Sequence, residues 1–525
     1  MSSRHPAQDH RVDPGWGLFN TVVITAAITG LLAYPLAPRP YDLGREVVGD
    51  QELARNVWVG MEGDRVGYHG LAVATVERLQ EDQTHVRGAG LGTEGTAGEP
   101  VAPDTRMAAS PIAGVLPGMI LADMVERDEV ALDSTVGDLL PELDPADPDL
   151  TDVTMEELGT HTSGVTWTEA PLPNQLWDLA TKQPSDKPRS VSHFLERVST
   201  EAEVDDERRG EREYSHTGLN LLGHALAAAA DQEYADLARE RIFAPLGMED
   251  TEVWTTATGW SPPLVHDADV GRPIRFTSTE ADGPAEGLVT TAADLSSLVK
   301  AMIDGSAPGH SAALPRTGDP REGPQHGLGW QIEKVGDHLI TTYGGTASRN
   351  GHAAWIAFSG NRGAVVMSNT HRGAEDITLR LMGVRDPDRD DNRQVLLSSW
   401  ATVLPTLLPS VAVLAFALRR RPGVRWRRQT DRAGLVAYSA IASSILTYTY
   451  LVGFWHRVPP WVWILGVVLT ALAIALGVRR WPDLPAVRGP RRWLRRLLLI
   501  PITLGALGAV LLLGPMAADM TSSVP

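Results

Sequence analysis

Hydroxyl, amine and imidazole side chains at short spacing are the features of this sequence that could perform chemistry. A Ser hydroxyl is a poor nucleophile until a neighbouring base takes its proton, and a Lys one helical turn away can be that base. Ser297 and Lys300 have this S-x-x-K spacing, which we interpret as a chance match. Tyr214, Ser215 and His216 place a phenol, a hydroxyl and an imidazole side by side, and His216 is a candidate base.

No pattern in the sequence indicates a cofactor or a metal. The chain has 15 His but no H-E-x-x-H pattern or comparable cluster. It contains no Cys, which excludes disulfides, thiol catalysis and thiolate metal sites. We therefore expect the protein to work without cofactor or metal.

The charge of the chain changes sharply along its 525 residues. Residues 38–394 contain 30 Lys and Arg against 60 Asp and Glu, whereas residues 395–525 contain 15 Arg against three Asp. The acidic body argues against nucleic acid as a partner, because neutralising phosphates requires clustered basic side chains. The Arg residues of the tail are explained instead by the apolar segments that lie between them.

Four uncharged stretches of the tail are long enough to cross about 30 Å of hydrocarbon as helices. They are residues 400–418, 433–455, 461–478 and 497–516. Trp side chains lie at several of their ends, as is common at membrane interfaces. The sequence therefore predicts a C-terminal membrane domain over residues 395–525, with the lipid bilayer as a partner.

Arginine-rich connections predict the orientation in the membrane. Residues 419–432 and 479–496 carry seven Arg each, and such loops stay cytoplasmic. Residues 38–394 are then extracytoplasmic. We interpret the apolar residues 19–37 as an uncleaved anchor, with a signal peptide as the alternative, and residues 1–18 as a cytoplasmic N-terminus.

Strand patterns lie at both ends of the predicted extracytoplasmic domain. Alternating residues predict strands at 70–78 and 84–90 and a hairpin within 355–368. Helical periodicity dominates between them, and the charge-dense run 201–213 predicts a solvated loop. Terminal strands around a helical middle predict an α+β domain whose sheet joins distant parts of the chain.

Six stretches between residues 68 and 370 follow one another in a distinctive order. They are LADMVERDEVALDSTVGDLLPEL (121–143), VTMEELGTHTSGV (153–165), YSHTGLNLLGHAL (214–226), ERIFAPLGMEDT (240–251), GLVTTAADLSSLVKAMIDG (287–305) and HGLGWQI (326–332). Together they resemble the serine β-lactamase and penicillin-binding-protein-like family, in its class C, DD-peptidase and esterase branch. The resemblance implies an antiparallel sheet flanked by helices, a helical subdomain and an acyl-transfer site built from three motifs.

The first motif that the resemblance implies, S-x-x-K, has lost its Lys. Counting without gaps from the downstream motif puts Pro111 at the nucleophile position and Gly114 at the Lys position. A shift of one residue gives Ser110 and Ala113 instead. Neither register can make the proton relay, although Ser110 remains the candidate nucleophile. As an alternative, Ser followed by Pro is typical of a helix N-cap and first turn.

The second and third motifs also depart from the family pattern. Tyr214 keeps the base position of Y-x-N, but His216 stands where the family has Asn, and a Tyr of pKa ~10 is a weak base at neutral pH. In the third motif a Tyr replaces the expected Lys or His. The candidate catalytic residues are Ser110, Tyr214 and His216, and the candidate cleft residues are Ser215, Tyr343, Gly344 and Gly345.

Three functional hypotheses follow from these motifs. The leading one is a membrane-tethered, catalytically impaired member of the family, a pseudoenzyme whose cleft serves binding, sensing or assembly at the cell envelope. Its candidate partners are cell-wall peptides, acyl ligands and envelope proteins. The second hypothesis is an active serine hydrolase of peptide, ester or β-lactam bonds that uses a rearranged site. The third is an accessory cap of a membrane transport or envelope complex.

Overall fold

The computed structural model divides the chain into two compact units. One unit is Pro40–Asp390, and the other combines Met1–Arg39 with Asp391–Pro525. It describes residues 14–486 except 62, 81–82, 96–97, 168–170, 182–189, 256–262, 320–322, 348–349, 385–391 and 419–430, and also residues 503, 504 and 508. The strands are β1 (Val47–Gly49), β2 (Gly70–Gln80), β3 (Gln83–Gly92), β4 (Met107–Ala108), β5 (Val165–Trp167), β6 (Ala202–Val204), β7 (Glu252–Val253), β8 (Leu264–Asp267), β9 (Arg272–Arg275), β10 (Leu288–Thr290), β11 (Gln325–His326), β12 (Gln331–Val335), β13 (His338–Ala347), β14 (His352–Ser359) and β15 (Arg362–Ser368). The α-helices are α1 (Pro14–Ala33), α2 (Gln51–Gly60), α3 (Ser110–Ala113), α4 (Val115–Glu126), α5 (Val136–Leu139), α6 (Met155–Thr160), α7 (Leu172–Thr181), α8 (Val191–Glu201), α9 (His216–Ala229), α10 (Tyr234–Ala238), α11 (Gly283–Glu286), α12 (Ala292–Asp304), α13 (Glu375–Leu381), α14 (Asn392–Leu418), α15 (Arg432–Val452) and α16 (Trp461–Arg479).

An eight-stranded antiparallel sheet forms the centre of the Pro40–Asp390 unit. Its spatial order is β1-β3-β2-β15-β14-β13-β12-β11. β2 pairs with β15, so that Val73 lies opposite Val366, both fully buried. The alternating sequence of these strands puts apolar side chains on buried faces. The predicted α+β fold, with a sheet that joins distant parts of the chain, is confirmed.

Helices of the middle segment form the helical part of this unit, and local capping fixes where they begin. Thr154 and Glu157 form a reciprocal capping box on α6, and Thr291 caps α12 through the backbone N–H of Asp294. α4 and α9 pack together through fully buried side chains such as Ile120 and Leu222. This packing holds the start of α9 near the short helix α3.

The other unit contains three helices that are long and apolar enough to cross a membrane. The candidate spans are Val395–Leu418, Arg432–Val452 and Trp461–Arg479, and the apolar stretch Gly17–Ala33 of α1 is shorter. α14 packs on α15 and α16, and Thr470 donates a buried hydrogen bond of 3.1 Å to Ser410 Oγ. The predicted fourth span, residues 497–516, lies almost entirely outside the described residues.

Candidate functional site

A cleft of about 410 Å³ opens between α3, the start of α9 and β13. Its wall includes Ser110, Pro111, Arg212, Tyr214, His216, Glu286, Gln331, Tyr343, Gly344, Gly345 and Trp355. Six of the seven predicted site residues therefore lie on one cavity, although the chain separates the first from the last by more than 200 residues. The sheet and the helical part of the unit bring them together.

Ser110, the candidate nucleophile, is 96% buried, and its hydroxyl is hydrogen-bonded to a backbone carbonyl, which is not a base. Its Oγ donates to the carbonyl oxygen of Glu286 at 2.5 Å, and its backbone N–H donates to Nε2 of His352 at 3.2 Å. The predicted N-cap role is wrong, because α3 begins at Ser110 itself and Ala109 precedes the helix. Nothing in this arrangement takes the hydroxyl proton.

His352 lies close to Ser110 but cannot serve it as a general base in this geometry. Its Nδ1 lies 3.0 Å from the carbonyl oxygen of Asn350, so Nδ1 carries the ring proton and donates a hydrogen bond to that oxygen. Its Nε2 is then unprotonated and accepts the Ser110 backbone N–H. Complete burial lowers the pKa of His352 to about 4, so the ring is neutral at physiological pH.

Pro111 and Gly114 occupy the positions that the ungapped count assigns to nucleophile and Lys. A Cβ built on Gly345 of β13 would meet the Pro111 Cβ at 3.7 Å, so Pro111 faces the cleft strand. A Cβ on Gly114 would collide with the hydroxyl of Tyr343. Pro111 has neither a hydroxyl nor a backbone N–H that could stabilise an oxyanion. Tyr343 fills the space in which a side chain at position 114 would begin.

The two phenols of the cleft remain protonated. Burial and the negative charge of Glu286 raise the pKa of Tyr214 to about 12, although 55% of the residue's surface is accessible. Complete burial raises the pKa of Tyr343 well above the usual range. Both side chains can donate hydrogen bonds but cannot take a proton from a nucleophile near pH 7.

His216 lies on the acidic side of the cleft. Its Nε2 is 3.5 Å from Asp282 Oδ1 and 3.8 Å from Glu286 Oε1. Among the described residues it has no hydrogen bond with Ser110 or Tyr214. A His oriented by a carboxylate is a base in many hydrolases, but here the imidazole is not hydrogen-bonded to the Ser110 hydroxyl, which donates to Glu286 instead.

Ser215 lies apart from the cleft wall. Its hydroxyl accepts a hydrogen bond from Gly218 N at 2.9 Å, which caps α9, and donates to Val165 O at 3.1 Å. The hydroxyl is therefore engaged as an acceptor in the helix cap and as a donor to β5. We expect Ser215 to fix the start of α9 and thereby the neighbouring His216.

Three residues of the site carried no recognised signal in the sequence. Glu286 and His352 contact Ser110 across 176 and 242 residues of chain, and such distant pairs have no local pattern. Arg212 belongs to the charge-dense run 201–213, which we predicted to be a solvated loop. Arg212 lines the cleft, and part of that run forms β6 instead of a loop.

One group of side chains in the described part of the chain has the spacing of metal ligands. Ligand atoms of Asp267, Asp269 and His371 lie within 4.8 Å of one another. His371 already bonds Asp269 through Nε2 and the backbone N–H of Ala268 through Nδ1. Arg272 lies 3.6 Å from the Asp267 carboxylate. These contacts explain the cluster as a buried ion network.

The S-x-x-K match at residues 297–300 lies away from the cleft wall on α12. Lys300 pairs with Asp304 one turn later, at 3.1 Å, and is exposed. An ion pair of this kind is an ordinary feature of a helix surface. The structure gives the match no part in the cleft.

The architecture and the cleft together define a serine-hydrolase-like domain, and comparison with known proteins agrees. A family model described as "Beta-lactamase" matches residues 58–386, and the chain therefore belongs to the Beta-lactamase family. The family resemblance read from the sequence is confirmed.

Relatives and solved structures show how far this similarity extends. The chain is 24% identical over 256 residues to Penicillin-binding protein 4 of Amycolatopsis lactamdurans, covering 47% of this chain and 63% of that relative, so less than two thirds of the relative is matched. A class C β-lactamase from Rhodobacter sphaeroides is 20% identical with a TM-score of 0.51, over 64% of this chain and 99% of that one. A β-lactamase from Sulfitobacter sp. EE-36 is 17% identical with a TM-score of 0.51, over 63% and 97%. At such identities the structures show the fold alone.

Proposed function

We propose that this protein is a membrane-tethered, catalytically impaired member of its family, whose cleft binds a ligand at the cell envelope without covalent turnover. The observation that carries the proposal is the contact between Gly114 and Tyr343. The relay Lys is absent, and the Tyr343 hydroxyl fills the space where its side chain would start. Acyl transfer through a Ser needs a proton acceptor next to the hydroxyl, and this packing leaves no room for one from position 114.

The remaining groups of the cleft support the same proposal. The Ser110 hydroxyl donates a hydrogen bond to the backbone carbonyl of Glu286, and Nε2 of His352 accepts a hydrogen bond from the Ser110 backbone N–H. Tyr214 has a pKa raised to about 12 and is a donor at neutral pH. Tyr214 can hold a ligand through a hydrogen bond, while none of these three residues activates a nucleophile.

The name of the relative from Amycolatopsis lactamdurans, a penicillin-binding protein, makes acyl ligands of β-lactam or peptide type the first candidates to test. Measuring hydrolysis of a chromogenic β-lactam and of an activated ester by the full-length protein in detergent tests the proposal. We expect rates equal to those of the Ser110→Ala variant. A rate that exceeds the solvent background and disappears in Ser110→Ala would overturn it.

One observation favours a second candidate, a hydrolase with a rearranged site. His216 lies against Asp282 and Glu286, in the way that a carboxylate orients a catalytic His. This candidate predicts hydrolysis that is lost in His216→Ala and kept in His338→Ala, which removes an exposed His of β13. If the rate equals the solvent background in the wild type and in both variants, the binding role stands.

The proposed location of the binding cleft is the exterior of the cell. The Arg-rich connections 419–432 and 479–496 favour a cytoplasmic position, which puts residues 38–394 outside. Since the chain contains no Cys, single cysteines report sidedness without background. We expect Glu207→Cys to react with a membrane-impermeant maleimide in intact cells and Gly423→Cys to react only after permeabilisation; the reverse pattern would invert the topology.

An accessory role in an envelope complex is compatible with this orientation. Deletion of residues 395–525 without phenotype would contradict that role.

A further inference from the structure

A groove of about 330 Å³ lies between α15 and α16, in the unit that contains the apolar helices. α15 contributes Val436, Ser439 and Ser443 to its wall, and α16 contributes Ile474 and Val478. Val436 and Ile474 are each 42% exposed and Val478 is 64% exposed, so apolar side chains remain open along the groove. Both helices are long and apolar enough to cross a membrane, and a groove between such helices meets lipid chains instead of water.

Ser439 places a hydroxyl without a partner in the wall of this groove. The residue is 91% buried, and its Oγ has no hydrogen bond with any described group. Ser444 and Thr447 of the same helix donate to the carbonyl oxygens four residues earlier, at 2.9 and 3.0 Å. A buried hydroxyl that lacks a partner costs free energy, and hydrocarbon supplies no water to satisfy it. A bound molecule with an acceptor oxygen would compensate Ser439.

An arginine continues the groove face of α15 by one turn. Steps of four, three and four residues separate the members of this face, which are Arg432, Val436, Ser439 and Ser443. The Arg432 guanidinium lies over the ring of Trp481, which also lines the groove, 5.3 Å from the ring centroid. Its Nε donates to the Trp481 carbonyl oxygen at 3.0 Å. The wall residue Trp481 therefore holds a positive charge at one end of the groove.

This end of the groove has an excess of positive charge. Arg432 has no ion pair with a carboxylate of the described residues, because its guanidinium donates to backbone carbonyls of the chain that follows α16. Residues 395–525 contain 15 Arg against three Asp. Of these, Asp431 is buried and caps α15 by accepting from Gly434 N at 2.7 Å, and Asp483 is exposed. Anionic lipid headgroups are the membrane component that complements such a charge.

We infer that the groove between α15 and α16 binds one anionic phospholipid, with an acyl chain between the two helices and the phosphate at Arg432. A guanidinium matches phosphate oxygens through its paired N–H groups. Ser439 lies about 10 Å further along the helix axis, where its hydroxyl can donate to an ester carbonyl of the same lipid. The inference goes beyond the proposed function, because it requires α15 and α16 to cross a membrane but no particular chemistry in the cleft.

Native mass spectrometry of the full-length protein in detergent tests this site. The probes are phosphatidylglycerol, which is anionic, and phosphatidylcholine with the same acyl chains, which carries no net charge. We expect phosphatidylglycerol to bind at one saturable site, and phosphatidylcholine to bind at least about tenfold more weakly, because its choline group is repelled by Arg432. Equal binding of the two lipids, or no saturable binding of phosphatidylglycerol, would overturn the inference.

Substitutions at the charged end and in the wall locate the site. Arg432→Gln should weaken binding of phosphatidylglycerol at least about tenfold, whereas Arg432→Lys keeps the charge and should retain most of the preference over phosphatidylcholine. Ser439→Leu should weaken binding of both lipids, because the larger side chain fills the groove. The matched control is Arg479→Gln, since Arg479 lies at the same end of α16 but donates to Thr21 Oγ1 at 3.0 Å, outside the groove wall. Unchanged binding in Arg432→Gln or in Ser439→Leu, or an equal loss in Arg479→Gln, would contradict the assignment.

Cysteine substitutions separate the lipid from two other occupants. Because the chain contains no Cys, Ile474→Cys places a single thiol in the groove wall. A disulfide-linked dimer of this variant in lipid bilayers would show that a second copy occupies the groove. A disulfide to a Cys introduced at one of positions 503–506 would show that the predicted fourth span does. We expect neither product, and either one in most of the protein would overturn the lipid assignment.

Discussion

The hydroxyl of Tyr343 lies where the first side-chain atom of residue 114 would have to be. Gly114 is the C-cap that follows α3, and Tyr343 belongs to β13, so the contact joins the end of the helix and the strand that border the cleft. The two positions are complementary: a large side chain at 343 requires glycine at 114. The loss of the relay Lys and the gain of a Tyr on the strand are thus one packing arrangement.

This relationship predicts a strong dependence between the two positions. Gly114→Ala should destabilise the protein by about 1–3 kcal/mol, because the new methyl group would overlap the phenol. In a Tyr343→Ala background the same substitution should cost much less, since the obstructing ring is gone. Chemical denaturation of the four proteins of this double-mutant cycle measures the coupling. Gly345→Ala is the control, because its new Cβ would meet Pro111 at an ordinary contact distance of 3.7 Å. Additive changes in the free energy of unfolding for the substitutions at 114 and 343 would contradict the account.

Ser110 is predicted to contribute to stability through its buried hydroxyl. Ser110→Ala leaves the Glu286 carbonyl without this donor and should cost about 1–3 kcal/mol. The exposed Ser192, on α8, offers a control whose replacement by Ala should have little effect. Thermal unfolding of both variants checks the comparison, and an unchanged transition in Ser110→Ala would mean that the observed hydrogen bond is not formed.

Buried neutral histidines predict a loss of stability in mild acid. The pKa of His352 is lowered to about 4 by burial, whereas an unfolded His titrates near pH 6.5. Between these values the unfolded chain binds more protons, so the free energy of unfolding falls as the pH falls. From pH 7.5 to 5.5 the loss from one such His is about 1.4 kcal/mol.

The histidine effect can be separated from other titrations by comparing variants. His352→Gln should reduce the difference in unfolding free energy between pH 7.5 and 5.5, whereas His338→Gln, at an exposed position, should leave it as in the wild type. Equilibrium unfolding at the two pH values gives both numbers. An unaltered pH difference in His352→Gln would show that this ring does not titrate as described.

The packing of the apolar helices predicts which glycines they need. A Cβ on Gly466 of α16 would meet Leu446 Cδ2 at 2.7 Å and the carbonyl oxygen of Thr406 at 3.1 Å. Small residues at such contacts let helices approach closely. Gly466→Val should therefore lower the thermal stability of the protein in detergent, while Leu465→Val, at a more exposed neighbouring position, should not. Equal stabilities would argue against this helix contact.

The fold class could be predicted from the sequence because strand alternation and helical periodicity are local patterns of neighbouring residues. The alternation in β2 and β15 predicted strands at both ends of the domain, and their pairing follows from burying both apolar faces. Ser110 was harder, because Ser-Pro fits both an N-cap and the first helical turn. The hydrogen bonds that Ser110 donates to the Glu286 carbonyl and to His352 are long-range and leave no local pattern. Arg212 could not be distinguished from its charged neighbours until their partners were known.

Intact-mass spectrometry tests the central claim most directly. The full-length protein would be incubated with a reactive β-lactam and, separately, with a phosphonate probe for serine hydrolases. The account predicts an unmodified mass in both samples, because no described group near Ser110 takes its hydroxyl proton. An adduct that maps to Ser110 and is absent from the Ser110→Ala variant would contradict it, and would show that the cleft performs acyl transfer without the Lys.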